Sequence, residues 1–208
     1  MAKPRKHPEQ QPEKPARSKP PIKVAKPDGS RLHVTPQECK AIQKAAGSTG
    51  RYPLRDATMI MLGFNHGLRS EELVSVLWEQ VNLAEKTLAV VRCKKGSPST
   101  HPLTDDEVKA LRKLWQAQMS PKTYVFMTER GGPLTTSAFR KIIARAGKQA
   151  GLPMRVHPHM LRHGCGYMFA NQGQDTRSLQ GYLGHKNIQH TVRYTALSKD
   201  RFKGFKPE

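Results

Sequence analysis

Apolar side chains in the first third of the chain body recur at the spacing of amphipathic helices. Thr35–Glu38 (TPQE) is a capping box with Pro36 at the first helical position, which predicts a helix that runs to Gly47. Ser70 can cap a third, short helix that carries Leu73, Val76 and Leu77. A second helix, which Gly67 stops, is predicted between these two from Leu54, Ala57, Ile60, Met61 and Phe64.

After these helices the apolar pattern changes to that of β-strands. Thr87–Cys93 (TLAVVRC) is rich in β-forming residues, and Lys94–Ser99 contains Gly, Ser and Pro. His101–Leu103 can return as a second strand. The pattern therefore predicts a β-hairpin with a basic loop.

Helical spacing resumes beyond the hairpin. Thr104–Glu107 (TDDE) is a second capping box and opens a helix with four apolar positions, Val108, Leu111, Leu114 and Trp115. Tyr124–Met127 is interpreted as a short strand and Gly131–Pro133 as a turn.

The last part of the chain is predicted to be entirely helical. Thr135 or Thr136 caps a helix that ends at Gly151, and three more helices are expected near residues 158–172, 175–183 and 187–196. The fold class predicted is mostly α with a small β-element, α+β, in a single domain over residues 35–200.

Two short segments flank that domain. Residues 1–34 hold 7 of the 16 prolines and nine basic residues against three acidic ones. Such a composition cannot support a core, so it is interpreted as a disordered basic arm. The arm either follows a phosphate backbone or is a solvated linker without a role. Residues 201–208 are expected to form a short C-terminal tail.

Charge narrows the class of partner. With 36 Lys+Arg and 16 Asp+Glu the formal net charge is +20, which favours a polyanion, nucleic acid first and an anionic membrane second. No apolar run approaches the length of a transmembrane helix, and the basic N-terminus has no apolar segment of a secretory signal behind it. The three cysteines exclude a disulfide framework and fit a cytoplasmic protein.

Several cations and histidines lie beside predicted helix ends and turns, where functional side chains concentrate. His159 and His163 have the spacing of a helical zinc pair, but no Glu follows His159 and Arg162 would lie beside the metal. A phosphoryl-transfer site accounts for the same residues better than a zinc site does. Two arginines, Arg69 and Arg162, can hold one phosphodiester, and a tyrosine with a nearby base can attack it.

Each of these residues also has an ordinary structural explanation when it is taken singly. Their joint order, however, resembles the tyrosine recombinases, the phage integrase family. His66–Leu73 (HGLRSEEL) is similar to the family's first arginine box, and His159–His163 (HMLRH) to its H-x-x-R-H box. Leu183–Thr195 (LGHKNIQHTVRYT) is similar to its closing L-G-H…Y box. The last two stretches look most like the short fimbrial phase-switch invertases.

The resemblance implies a role for each matching position. Tyr194 would be the nucleophile that forms a 3′-phosphotyrosyl bond, and Lys95, or its neighbour Lys94, would be the general acid. The phosphate would be held by Arg69, Arg162 and His185. His159 would assist proton transfer with Tyr194, while Glu72 and His163 would support the site. Further contacts to DNA are expected from Lys94, Arg140, Lys141, Lys186 and Arg193.

The resemblance also implies the partners and leaves alternatives open. The expected enzyme acts on double-stranded DNA with inverted-repeat sites as a homotetramer, with DNA-bending accessory proteins and without metal or other cofactor. Most relatives carry a core-binding domain ahead of the catalytic one, and this chain is expected to lack it. Inversion of a DNA segment is favoured; integration or excision of a mobile element, a non-catalytic DNA-binding regulator and an RNA-binding domain are the alternatives.

Overall fold

The computed structural model describes residues 31–93, 98–119 and 123–196. The basic arm up to residue 30, Lys94 and Lys95 in the hairpin loop, and the C-terminal tail lie outside the described residues. The last residues assigned to the arm are described, and there the expectation is wrong: Val34 is buried in the core, and its amide donates to the Met160 carbonyl at 3.3 Å. Within the described residues the chain forms eight α-helices, one short 3-10 helix (Trp78–Gln80) and one small sheet, which confirms the predicted fold class. The helices are α1 (Pro36–Ser48), α2 (Pro53–Asn65), α3 (Ser70–Val74), α4 (Asp105–Ala117), α5 (Thr136–Gln149), α6 (Pro158–Asn171), α7 (Thr176–Leu183) and α8 (Gln189–Ala196).

The predicted capping boxes are present at the starts of α1 and α4. The Thr35 hydroxyl accepts a bond from the Glu38 amide at 3.2 Å, and the Glu38 carboxylate accepts one from the Thr35 amide at 2.8 Å. Thr104 and Glu107 repeat this exchange at 3.3 and 2.8 Å. Each pair satisfies backbone donors that a helix N-terminus otherwise leaves unbonded, which is why these helices begin where the sequence predicted.

The predicted hairpin is also present, as part of an antiparallel sheet of β1 (Val81–Asn82), β2 (Thr87–Val90) and β3 (Ser99–Pro102). Strand β1, which the sequence analysis did not anticipate, pairs with β2 on the side opposite β3. Because side chains alternate along a strand, Leu88 and Val90 face the core while Ala89 is exposed.

Two local expectations were wrong. The first concerns α3: Ser70 is its first residue, Arg69 occupies the N-cap position, and the helix ends at Val74, so Val76 and Leu77 lie outside it. The segment Tyr124–Met127 makes only isolated bridges, from Tyr124 to Leu77 and from Met127 to Pro133, instead of a strand. A β-like apolar run cannot extend a ladder where no neighbouring strand runs alongside it.

The core is divided into a large and a small cluster of buried side chains. The large one is built from α1 to α6 and the sheet. The small one lies at the C-terminal end of the chain and contains Cys165, Ala170, Leu179, Leu183 and Tyr194. Helices α6, α7 and α8 pack on one another around it, so the C-terminal helices are held against the body of the domain. In the part of the chain that is described, no helix is long and apolar enough to cross a membrane.

Candidate active site

Five of the six predicted catalytic side chains converge on one cleft of about 360 Å³. They reach it from four separate places: the N-terminus of α3, α6, the loop after α7, and α8. The sixth, Lys95, and its neighbour Lys94 belong to the loop between β2 and β3 and lie outside the described residues. The five that line the cleft are Arg69, His159, Arg162, His185 and Tyr194.

Arg69 is held in place by the buried carboxylate of Glu72, one turn further along α3. The Arg69 amide donates to one oxygen of Glu72 at 2.9 Å, and its guanidinium donates to the other at 2.7 Å. Burial raises the pKa of Glu72, but hydrogen bonds from Arg69 and the charges of Arg92 and Arg69 outweigh it and hold the pKa below its usual range. Glu72 is therefore an anion that orients a partly exposed arginine towards the cleft.

Arg162 is buried, with 5% of its surface exposed, and two backbone carbonyls fix its orientation. Its guanidinium donates to the Gly67 carbonyl and to the Leu183 carbonyl, both at 2.5 Å. Burial, followed by the charges of Arg69 and Arg92, lowers the pKa of Arg162 to about 10, which still leaves it cationic at neutral pH. Two fixed guanidiniums thus face a single cleft, an arrangement suited to one phosphodiester.

Tyr194 is buried, with 1% exposure, and its hydroxyl lies 2.8 Å from Nδ1 of His163. Burial raises the pKa of Tyr194 to about 12, despite the nearby Arg162 and Arg193. Burial also lowers the pKa of His163 to about 4, so its imidazole is neutral at pH 7 and can accept a proton. In the described part of the chain the hydroxyl of Tyr194 makes no hydrogen bond with His159.

The other two predicted histidines, His159 and His185, also line the cleft. Nδ1 of His185 lies 2.9 Å from the hydroxyl of the buried Thr191, and burial lowers the pKa of His185 to about 3. Its ring lies nearly parallel to that of Tyr194. His159 is exposed at the start of α6, where burial of part of the ring and the charge of Arg162 lower its pKa.

Of the described basic residues that are predicted to contact DNA, two line the cleft and two lie on α5. Lys186 and Arg193 line the cleft. Arg140 is exposed on α5 and close enough to lower the pKa of His159. Lys141 is exposed beside it on the same helix. Among the residues described, no group of three or more His, Cys, Asp and Glu side chains could hold a metal ion.

Sequence reasoning missed Arg92, which follows β2. Its side chain is fully buried and donates to Glu72 at 2.9 Å and to the Tyr182 carbonyl. The sequence does indicate that Arg92 is buried. Leu88, Val90 and Arg92 have the period-two spacing of one strand face, and Leu88 and Val90 are apolar. An arginine that continues a buried face must have a buried partner.

Comparison with known proteins identifies relatives over most of the chain. The model of the phage integrase family matches residues 33–201. The type 1 fimbriae regulatory protein FimB of Escherichia coli (strain K12) is 41% identical over 178 residues, which cover 84% of this chain and 88% of FimB. The type 1 fimbriae regulatory protein FimE of the same strain is 40% identical over 181 residues, which cover 84% of this chain and 90% of FimE.

The fold is similar to that of a solved recombinase. The crystal structure of XerA recombinase matches with a TM-score of 0.73 and 26% identity. The match covers 85% of this chain and 65% of the XerA chain, so about a third of XerA has no counterpart in the match.

Proposed function

Because this chain belongs to the phage integrase family and is a tyrosine-type site-specific DNA recombinase, we propose that it inverts a DNA segment, using Tyr194 as its nucleophile. The observation that carries the assignment of the nucleophile is the single cleft in which a tyrosine hydroxyl, a neutral histidine and two fixed guanidiniums meet.

The reaction begins with attack of the Tyr194 oxygen on a phosphodiester held by Arg69 and Arg162. The phosphorus–oxygen bond to the 5′-oxygen breaks as the bond to tyrosine forms, which leaves a 3′-phosphotyrosyl link. Negative charge that develops on the non-bridging oxygens is stabilised by the two guanidiniums, whose positions are set by Glu72 and by backbone carbonyls before substrate arrives. The covalent link conserves the energy of the broken bond, so a new strand can be joined by the reverse reaction.

The tyrosine proton leaves through His163 in this proposal. With the pKa of Tyr194 near 12 and that of His163 near 4, complete transfer in advance of attack would cost on the order of 10 kcal/mol. The proton therefore moves while the tyrosine oxygen bonds to phosphorus, which is general-base catalysis. Lys95, or its neighbour Lys94, is proposed to protonate the departing 5′-oxygen, and His185 to bond the phosphate.

Inversion is proposed because the two most similar relatives reported above are regulatory proteins of type 1 fimbriae. Inversion between inverted repeats keeps the DNA intact and can be reversed, so it suits a regulatory switch better than excision does. Two paired sites have four strands to cut, so a homotetramer is proposed, assisted by DNA-bending proteins and acting at the nucleoid in the cytoplasm. Integration or excision would use the same chemistry with differently oriented sites.

Covalent trapping tests the nucleophile and finds the target sequence in the same experiment. The protein is incubated with fragmented genomic DNA of its source in EDTA, the mixture is denatured, and DNA attached to protein is sequenced beside a Tyr194→Phe control. We expect attached fragments that share one sequence with the native protein, and none with the phenylalanine variant. Tight, sequence-specific binding without any adduct would leave the DNA-binding regulator as the better account.

The trapped sequence then allows the outcome to be tested. Two copies are placed on a plasmid in inverted or in direct orientation, and the products are separated by restriction digestion. We expect inverted copies to recombine more efficiently than direct copies. Efficient excision between direct copies, with little inversion, would contradict the proposed regulatory switch.

A further inference from the structure

The side chain of Arg92 is buried beside the proposed active site but has no role in the chemistry described so far. Its guanidinium donates to Glu72 on one side and to the carbonyl of Tyr182 on the other. Gly184 lies so close that a Cβ there would be 2.8 Å from Cδ of Arg92. Arg92 therefore lies between α3 and the end of α7, immediately before the loop that carries Lys94 and Lys95.

Glu72 has two guanidiniums as partners but only one negative charge. One oxygen accepts from the Arg69 guanidinium and, at 3.3 Å, from the Cys93 amide; the other accepts from the Arg69 amide and from Arg92. The Arg92 side chain is 0% exposed and that of Arg69 is 28% exposed. Because burial strengthens electrostatic interactions, the carboxylate charge is neutralised mainly by Arg92.

We infer that Arg92 is a positioning residue that serves as the buried counter-ion of Glu72, so that Arg69 keeps its positive charge available for the scissile phosphate. The inference rests on the proposed function, since it concerns how Arg69 meets that phosphate. Without Arg92, Glu72 still orients Arg69 but also neutralises it, and the pair then presents no net charge to an anion. With Arg92 present, Glu72 can orient Arg69 while the three side chains together remain cationic.

A charge-rescue experiment separates this role from packing. Single-turnover cleavage and DNA affinity are measured on the trapped site for the native protein, Arg92→Met, Arg92→Lys and the double variant Arg92→Met/Glu72→Gln. We expect the methionine variant to cleave about 100-fold more slowly with little change in affinity, in proportion to the loss of one transition-state charge. Arg92→Lys, which keeps the charge, should cleave at no less than about a tenth of the native rate. The double variant Arg92→Met/Glu72→Gln should recover to the same level, because the carboxylate that would neutralise Arg69 is gone.

A second ion-pair cluster supplies the control. The buried Asp56 is held between Arg55 at 2.7 Å and the more exposed Arg145 at 3.4 Å, and none of the three lines the cleft. Arg55→Met should lower the melting temperature while cleavage per folded molecule stays native. This control shows what the loss of a largely buried arginine, with 13% of its side chain exposed, does to stability alone.

The outcomes distinguish the inference from the proposed function. If the native protein forms no adduct, the proposed function fails. If the native protein cleaves and the double variant is as slow as Arg92→Met, the counter-ion role is overturned and Arg92 acts through packing. If Arg92→Met does not fold, the double variant decides alone, because it removes both buried charges. Cleavage within about tenfold of native then supports the inference, and a loss of about 100-fold or more overturns it.

Discussion

At the scale of single residues, burial raises the pKa of Tyr194, the proposed nucleophile, and the proposed base His163 offsets this effect. With a pKa near 12, about one Tyr194 in 100,000 is ionised at pH 7. An exposed tyrosine would ionise more readily but would also attack less selectively. In the proposed mechanism, the neutral His163 at 2.8 Å accepts the proton of the buried hydroxyl only when a phosphate is there to be attacked.

Histidine substitution identifies the base. His163→Gln should slow adduct formation by about 10²- to 10⁴-fold with unchanged DNA affinity, because it removes the group that accepts the proton. His159→Gln is the matched comparison, since the family resemblance implies that His159 assists proton transfer. Both rates are measured by single-turnover trapping, and a larger loss in His159→Gln would reverse the assignment.

The pH dependence of the cleavage rate also tests whether His163 is a neutral base. With its pKa near 4, His163 remains a neutral acceptor throughout the range from pH 8 to pH 5.5. Its own titration should therefore cause no loss of cleavage in that range. A fall in rate with an apparent pKa near 6.5 in the native protein that is absent in His163→Gln would contradict a buried, neutral base.

At the scale of elements, the packing of α8 on α6 sets the position of Tyr194, the proposed nucleophile. Gly166 of α6 faces the Tyr194 ring, and a Cβ at that position would lie 2.7 Å from two of its carbons. Only a glycine allows this approach of helix and ring. The left-handed Gly184, with φ at 63°, ends α7 and turns the chain towards His185 and α8. Gly166 and Gly184 thus determine where the segment Leu183–Thr195 lies relative to α6.

Alanine substitutions on two helices test this geometry. Gly166→Ala should destabilise the protein by about 1–3 kcal/mol through overpacking, and displacement of the tyrosine should slow cleavage by at least about tenfold. Gly181→Ala on α7 is the matched control, because its Cβ would meet no atom within 4 Å. The control should stabilise slightly, by about 0.5–1 kcal/mol, with native cleavage. Thermal or urea unfolding measures the stabilities; equal effects of the two substitutions would contradict the close packing.

At the scale of the whole molecule, buried histidines join separate elements into one unit. Nδ1 of His66, at the end of α2, lies 3.2 Å from Nδ1 of His101 in β3, and Nε2 of His66 lies 3.1 Å from Glu107 of α4. The ring of Tyr182 in α7 stacks on His101 with ring centroids 3.8 Å apart. The hairpin is therefore tied to α2, α4 and α7, and α7 leads into the loop that carries His185. A neutral imidazole suits His101, because burial lowers its pKa to about 3 and a charged ring there would lose its hydration.

Stability should consequently fall in mild acid. The pKa values of His101, His163 and His185 are lowered to about 3, 4 and 3, chiefly by burial. Below about pH 6.5 the unfolded chain binds protons at these rings and the folded chain does not, so the free energy of unfolding decreases as pH falls. We expect a decrease of about 2–4 kcal/mol between pH 7 and pH 5, after allowance for partial exposure.

Urea unfolding at a series of pH values measures this dependence. The carboxylates of Glu72 and Glu107, whose pKa values are lowered, contribute stability that is lost only below about pH 4.5, so they do not interfere. His101→Gln should remove about a third of the slope between pH 6.5 and pH 5. A native protein equally stable at pH 7 and pH 5 would contradict burial of neutral imidazoles.

The helices, the hairpin and the residue types of the site can be predicted from local patterns in the amino-acid sequence. Capping boxes and apolar spacing located α1, α4 and the hairpin, and the motif order singled out Arg69, Arg162 and Tyr194, which the folded chain brings to one cleft. Which groups meet, in contrast, became visible only in the folded chain. Tyr194 contacts His163, and Glu72 pairs with Arg92, a residue 20 positions away in the chain. Burial and contact between distant segments set these charges and proton affinities, and no local pattern records them.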